Sequence, residues 1–433
     1  MNLKKIDSKA PKMFYNIDEK LKELEEKLKI NYNETQEKAI KGALNNNITI
    51  ISGGPGTGKT TIINAIVKLY IEKEKLGSAD IMETIALLAP TGRAAKKMNS
   101  STGIPAYTIH RYLKWYKDSN EFVYNEFNKT HHKLIIVDEV SMIDVDLFNA
   151  LLNGINSNIK LILVGDTFQL PSVGPGLVLN ELIESDYFNY IPLNQIYRQS
   201  DNSYIPFLAK EIKNNDLSEE FLTKKDDYNF VKVDSCNIKG AVTQITNYSL
   251  SKGLDERNVQ VLAPMYKGEA GIDALNVILQ NIYNPSKRNK EEVIYGDYIY
   301  REDDKVLQLV NDLDNNVFNG DIGFIERITG NKIIIDFDGN KVEYEKKDLK
   351  NIKHAYAISI HKSQGSEFMH VIMPISTSYY KMLYNKLIYT GVSRAKKSLT
   401  LVGDPAAFQR AVNNNYSSSR KTSLKEQISI VYN

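Results

Sequence analysis

Residues 51–61 read ISGGPGTGKTT, and this stretch decides the fold. Within it, residues 53–60 match G-x-x-x-x-G-K-[ST]. The apolar run NITIIS precedes the motif and the helical stretch KTTIINAIVKLYIEK overlaps its end, the strand–loop–helix context that a phosphate-binding loop requires. Gly53, Gly54, Pro55, Gly56, Thr57 and Gly58 let backbone N–H groups curl around phosphate oxygens. Lys59 reaches the outer phosphates, and Thr60, followed by Thr61, offers a hydroxyl to Mg²⁺. A glycine loop of purely structural use is the alternative, and the agreement of motif and context weighs against it.

Moving outward, TIALLAP, KLIIVDE and KLILVGD are short apolar runs separated by helical stretches. Continuous apolar strands alternating with helices indicate a parallel sheet covered on both faces. The pattern returns after residue 190 with NFVKV, VQVLAP, HVIMPI and SLTLVGD. LLAP at 87–90 is echoed by VLAP at 261–264, and LILVGD at 161–166 by LTLVGD at 399–404. These echoes suggest two similar α/β domains in tandem, the first alone carrying a phosphate loop. Residues 17–30 form an amphipathic helix that packs on the domain after it. Two stretches break the strand–helix pattern. Residues 114–130 hold aromatics around a turn-like DSN, consistent with a hairpin, and residues 303–350 hold short strands joined by Gly, Asn and Asp turns. The expected division is therefore an N-terminal helical segment (1–30), a first domain (31–190) with the hairpin inserted, and a second domain (191–433) with a small all-β insertion.

Composition constrains the rest. The 433 residues suggest about three compact units. Apolar residues make up 42% and charged residues 25%, as in an ordinary globular protein, and the net charge of +2 neither supports nor excludes a nucleic-acid partner. Cys236, the single cysteine, excludes an internal disulfide and a thiolate zinc cluster, and it reads as cytosolic. The six histidines lack ligand spacing. No signal-peptide h-region and no apolar run of about 18 residues is found, so a cytoplasmic location without a membrane is expected.

The acidic pair Asp138–Glu139 ends an apolar strand, where open α/β sheets bind ligands. Asp138 would hold Mg²⁺ through its water shell and Glu139 would take the proton from the attacking water; a solvated acidic strand end is the plain alternative. Gln169, just beyond the next strand, is placed to sense the γ-phosphate, although Asp166 and the nearby glycines fit simple turn chemistry as well. Gln36 could pair with the adenine edge or be a surface residue. ATP hydrolysis spreads charge over the transferred phosphoryl group, and an arginine meeting that charge contributes about 10³–10⁵ in rate. Arg394 in GVSRAKK and Arg198 in LNQIYRQS are assigned this role, reaching across to Lys59. The alternative is two surface arginines, each paired with an acid.

In their order, GGPGTGKTT, APTGRAAKKM, TIHRYL, DEVSM, GDTFQLPSVGPG, LNQIYRQ, VFNGDIG, AISIHKSQGSEF and LIYTGVSRAKKSLTLVGD resemble superfamily 1 helicases, most closely the RecD-like DNA helicases of the 5′→3′ branch. The match runs from Gln36 to Asp404. The resemblance implies an α/β chain of two RecA-like domains with ATP between them, a hairpin pin inserted in the first and an SH3-like β-domain in the second. It also implies that Pro90, Thr91, Gly92, Thr108, His110, His361, Lys362 and Ser366 face single-stranded DNA. Gln364, Gly365 and Glu367 would belong to the motif coupling DNA contact to the nucleotide site. Longer members carry a large N-terminal region, whereas only a short helix precedes Gln36 here. That points to a naturally short relative, a phage or mobile-element helicase, or a trimmed chain.

The expected activity is an ATP- and Mg²⁺-dependent helicase and translocase on single-stranded DNA. The hairpin would act as a wedge at single-strand/duplex junctions, with Trp115, Tyr116, Phe122 and Tyr124 available for base stacking or for packing on each other. An RNA helicase and a non-unwinding ATP-driven switch remain open alternatives, and protein partners are not indicated.

Overall fold

A computed structural model of the chain describes residues 2–10, 13–116, 119, 121–194, 203–288, 290–415 and 420–433. The chain forms two compact units, residues 1–199 with 417–433 and residues 200–416.

In the first unit the strands are β1 (Ile48–Gly53), β2 (Ile85–Ala89), β3 (Ala106–Thr108), β4 (Trp115–Tyr116), β5 (Glu121–Phe122), β6 (Leu134–Val137), β7 (Lys160–Gly165) and β8 (Asn189–Leu193). Six of them build one parallel sheet in the order β3-β2-β6-β7-β1-β8. Alternate residues of each strand feed opposite cores, as the period of two requires. Ile51, Leu134, Ile136, Ile162 and Val164 join the core under helices Ile17–Leu28, Glu34–Asn45 and Lys59–Glu74. Ile48, Ile50, Ile135, Val137, Leu161 and Leu163 join the core on the other face, with Phe148, Leu151 and Leu182.

Residues 17–30 pack on the domain after them as expected, Leu21 and Leu24 entering one core, while Leu3 and Ile6 enter the other. Two boundaries differ from the sequence reading. Strand β8 completes the first sheet, which carries that unit past residue 190. The final helix, Leu424–Tyr432, belongs to the first unit, because Ile428 packs into its core and Tyr432 lies against Tyr187 and Phe188.

The 114–130 segment is a two-rung hairpin, pairing Trp115 with Phe122 and Tyr116 with Glu121; residues 117, 118 and 120 at its turn lie outside the described residues. Its second half is anchored. Phe122 and Tyr124 pack on the core, and Thr130 is buried, accepting a hydrogen bond from the Tyr112 hydroxyl at 2.8 Å. Tyr116 and Phe127 are exposed.

The second unit holds β9 (Tyr228–Lys232), β10 (Val259–Ala263), β11 (Glu292–Tyr295), β12 (Tyr298–Arg301), β13 (Lys305–Gln308), β14 (Ile322–Thr329), β15 (Lys332–Phe337), β16 (Asn340–Glu345), β17 (Ile352–His354), β18 (Ala357–Ser359), β19 (Phe368–Ile375) and β20 (Ala395–Gly403). Its parallel sheet runs β18-β10-β19-β20-β9. This order matches β3-β2-β6-β7-β1 of the first unit strand for strand. The two sequence echoes therefore fall on corresponding strands, β2 with β10 and β7 with β20. The all-β insertion is a five-stranded antiparallel sheet, β16-β15-β14-β13-β17, with the β11–β12 ribbon beside it. Val293 and Tyr300 of the ribbon share a core with Ile325, Ile335 and Phe337, so the insertion is wider than residues 303–350. Buried Asp304 fastens it, accepting from Gln280 Nε2 at 2.7 Å, Asn284 Nδ2 at 2.8 Å and the Tyr356 hydroxyl at 3.0 Å.

Candidate functional site

The C-terminal ends of β1, β7 and β6 lie side by side, since Ser52 pairs with Gly165 and Leu163 with Val137. The residues that follow each strand are brought together by this register alone. They are the Gly53–Thr60 loop after β1, Asp166 and Gln169 after β7, and Asp138 and Glu139 after β6.

The loop demands its glycines. Gly56 and Gly58 have φ of 74° and 83°, a region costly to any residue with a Cβ. Thr57 Oγ1 donates to the Gly54 carbonyl at 2.9 Å. Lys59 Nζ donates to the Gly53 and Gly54 carbonyls at 2.6 and 2.9 Å, which holds its charge over the loop. Thr60 and Thr61 open the helix at this loop.

Gln36 is buried, and each half of its amide makes one hydrogen bond. Nε2 donates to the Thr57 carbonyl at 3.2 Å, and Oε1 accepts from the Asn33 N–H at 3.1 Å. With Asn33 Oδ1 accepting from the Gln36 N–H at 2.8 Å, the pair forms a capping box. The residue expected at the adenine edge thus also contacts the phosphate loop. The N-x-x-Q spacing was a usable signal for that role.

Asp138 and Glu139 are a crowded acidic pair. Burial and the neighbouring Glu139 push the Asp138 carboxyl up to about 6, against the opposing pull of Lys59 and Lys97. Its Oδ1 accepts from the Glu139 N–H at 2.8 Å. Glu139 itself has φ of 53°, a strained left-handed conformation for a non-glycine residue, of the kind that collects at functional positions. Its Oε2 is enclosed without a hydrogen-bond partner among the described residues, as is Gln169 Oε1. Gln169 Nε2 reaches Asp166 Oδ2 at a long 3.4 Å.

Such a donor set fits a nucleotide with its cation. Glycine-permitted curvature, a lysine over the loop, a carboxyl raised by crowding and an acidic oxygen without a partner all suit phosphate and a divalent ion. Among the described residues, no cluster of three or more His, Cys, Asp or Glu side chains could hold a metal unaided.

The residues expected to face DNA in the first unit follow the neighbouring strand ends, β2 and β3, where Ala89 pairs with Thr108. Thr91 and Thr108 both spend their hydroxyls as helix N-caps, accepting from Ala94 at 3.3 Å and Arg111 at 3.2 Å. Pro90 and Gly92 flank the first cap. His110 packs edge-on to Trp115 at 5.8 Å, and burial lowers its pKa.

In the second unit His361 and Lys362 occupy a short turn after β18. Burial lowers the pKa of both, and Lys362 Nζ donates to Asn319 Oδ1 at 2.6 Å. Asn319 had no role in the sequence reading beyond its place in VFNGDIG. Arg394 is not exposed and, among the described residues, is not paired with an acid. It is 3% exposed, and its guanidinium donates to neutral oxygens: Thr390 O at 3.1 Å, Ser366 O at 3.1 Å and Ser393 Oγ at 2.9 Å. Through Ser366 it is tied to the stretch holding Gln364, Gly365 (φ 71°) and Glu367, the last paired with Lys396 at 3.2 Å. Arg198 lies outside the described residues. No helix among the described residues is long and apolar enough to cross a membrane.

Known proteins match both the fold and these loops. Residues 36–175 match an AAA domain, residues 275–337 the SH3 domain of ATP-dependent RecD-like DNA helicases, and residues 354–402 a UvrD-like helicase C-terminal domain. The ATP-dependent RecD2 DNA helicase of Deinococcus radiodurans is 33% identical over 88% of this chain, which spans 50% of that protein's length. The RecBCD enzyme subunit RecD of Haemophilus influenzae is 30% identical, with 90% of this chain and 73% of that protein covered. The fold is shared with two coordinating Pif1 helicases solved at forked dsDNA (TM-score 0.53, 18% identity, 86% of this chain and 92% of that one). It is shared also with Bacteroides Pif1 bound to ssDNA (TM-score 0.52, 18% identity, 88% and 94%). Two matched parallel sheets, a phosphate loop on the first alone, an SH3-like insertion in the second and this level of identity lead to one conclusion: the chain belongs to the RecD-like helicase family.

Proposed function

We propose that the chain is an ATP-dependent DNA helicase, working in the cytoplasm, that moves 5′→3′ on single-stranded DNA and opens duplexes at the junction. One observation carries the reading: Lys59, Asp138, Glu139 and Gln169 converge at three adjacent parallel strand ends. DNA as the substrate is supported by the relatives' names, RecD2 DNA helicase and Pif1 at ssDNA and forked dsDNA. The single cysteine suits a reducing compartment.

The chemistry follows from the residues. Loop N–H groups and Lys59 bind and orient the phosphates. Thr60 and Asp138 would hold the Mg²⁺ that accompanies ATP, and that ion supplies neutralisation of phosphate charge. Glu139, with an oxygen free to accept, takes the proton from the attacking water. Gln169 directs its amide toward the same water. Arg394 and Arg198 stabilise the charge that develops on the phosphoryl group, an effect of about 10³–10⁵ in rate for such arginines. Translocation has to overcome only about 1.4 kcal/mol per base-pair step. The loops after β2, β3 and β18 grip the strand, and the β4–β5 hairpin divides the duplex.

Duplexes carrying a 5′ or a 3′ single-stranded tail, in DNA and in RNA, test the proposal. Unwinding is expected with the 5′ DNA tail alone. ATP hydrolysis stimulated by single strands with no unwinding of any duplex would instead establish the switch reading, and preference for RNA tails the RNA helicase.

A further inference from the structure

The loop after Gln169 runs through Pro171, Ser172 and Gly174 to Gly176, and its Pro175 carbonyl accepts from the Val145 N–H at 2.9 Å. The Ser172, Gly174 and Gly176 oxygens converge instead on the guanidinium of Arg420, which stands 248 residues after Ser172 in the sequence but belongs to the same compact unit. Nη2 donates to Ser172 O at 2.5 Å. Nη1 donates to Gly174 O at 2.6 Å, Gly176 O at 3.1 Å and Ser172 Oγ at 3.3 Å. Carbonyl dipoles aimed at one point repel each other unless a cation with several donors fills the space, and a guanidinium does this in a fixed geometry. The opposite side of the loop has no room to relax. A Cβ at Gly174 would lie 2.1 Å from Asp144 Oδ2, and one at Gly176 (φ 101°) would lie 2.2 Å from Val145 Cγ2.

Gln169 is buried, but little hydrogen bonding orients its amide. Its Nε2 contact with Asp166 is long and its Oε1 has no partner. Its place is set by backbone on two sides: the Asp166 turn before it, where the Gln169 N–H donates to Asp166 O at 3.3 Å, and the clamped loop after it.

We propose that Arg420 is a positioning residue for ATP hydrolysis, fixing the loop at 172–176 and through it the Gln169 carboxamide. The inference rests on the proposed ATPase function. It assigns a role in the nucleotide site to a C-terminal segment, SSSRKTSLKEQ, that bears no nucleotide-binding motif. A misplacement of about 1 Å at a reacting group can cost on the order of 100-fold.

Arg420→Ala should lower kcat of single-strand-stimulated hydrolysis by roughly 10- to 100-fold, with the KM for ATP and analogue binding nearly unchanged. Millimolar methylguanidinium, far below denaturing levels, should restore part of kcat in Arg420→Ala but nothing in Gln169→Ala. The double variant should be no slower than Gln169→Ala. Lys425→Ala, which removes only an exposed pair with Glu184 at 3.7 Å, is the control from the same tail and should behave as the parent. Normal kcat in Arg420→Ala, a loss confined to KM, or a loss that adds to that of Gln169→Ala would overturn the proposal. Amide exchange over 170–176 separates this proposal from the reading beneath it. Faster exchange in Arg420→Ala supports the clamp, and unchanged exchange overturns it, even if the parent protein hydrolyses no ATP.

Discussion

Replacing Gly58 by alanine probes how the phosphate loop is held. Gly58 has φ of 83°, and an added methyl carbon would lie 2.4 Å from Gln36 Nε2. That nitrogen ends a flexible side chain, so the amide would swing aside before the backbone moved. Swinging aside breaks the bond to the Thr57 carbonyl and the bond from the Asn33 N–H, in a side chain only 5% exposed. The left-handed conformation costs about 1–2 kcal/mol for a residue with a Cβ. Each lost hydrogen bond costs about 1 kcal/mol. Gly58→Ala should therefore destabilise the first unit by roughly 3–4 kcal/mol and weaken nucleotide binding. In a Gln36→Ala background the obstructing amide is gone and only the backbone cost of about 1–2 kcal/mol remains. The two changes should then couple by about 2 kcal/mol in a double-mutant cycle. Trp115, the single tryptophan, lies in the first unit, so urea unfolding followed by its emission reports this unit specifically. An equal cost of Gly58→Ala in both backgrounds would refute the Gln36 contact, and a cost below about 0.5 kcal/mol would refute the strain argument as well.

Lys59→Ala should nearly abolish hydrolysis and unwinding, whereas Glu139→Gln should bind nucleotide yet lose turnover; wild-type hydrolysis in Glu139→Gln would remove Glu139 as the base. Arg394→Ala should reduce kcat far more than ATP affinity, since the charge it meets is greatest in the transition state; weakened binding at normal kcat would make the residue a structural tie to Ser366. Exchanging residues 116–121 for a Gly/Ser turn spares the anchored Phe122, Tyr124 and Thr130, so single-strand-stimulated ATPase should persist while duplex unwinding is lost, and unimpaired unwinding would end the wedge idea. Burial holds His361 below the ordinary histidine value of 6.5, so it is expected to add no charge at pH 7 to the proposed DNA contact. Lys362→Gln should then lower the salt-dependence slope of single-strand affinity by about 0.7, and His361→Gln should leave it unchanged.

The sequence by itself determined the interior strands and the chemistry at their ends. NITIIS, KLIIVDE and KLILVGD became β1, β6 and β7 because strands covered on both faces must be apolar throughout, and such runs are visible without a structure. The phosphate loop was legible because Gly56 and Gly58 occupy conformations that few other residues adopt. Three of the four strands at the sheet edges were not legible, whereas NFVKV became the edge strand β9. β3 and β18 have three residues each, and β8 contains Pro192, which edge strands tolerate. Tertiary structure alone decided that Gln36 turns inward to the loop, that Arg394 is buried among neutral oxygens, and that the C-terminal segment returns to the first unit to put Arg420 against the loop at 172–176. Local spacing encodes periodicity and backbone conformation. A bond between Arg420 and Gly174 depends on where two distant segments are packed, and no sequence window contains both.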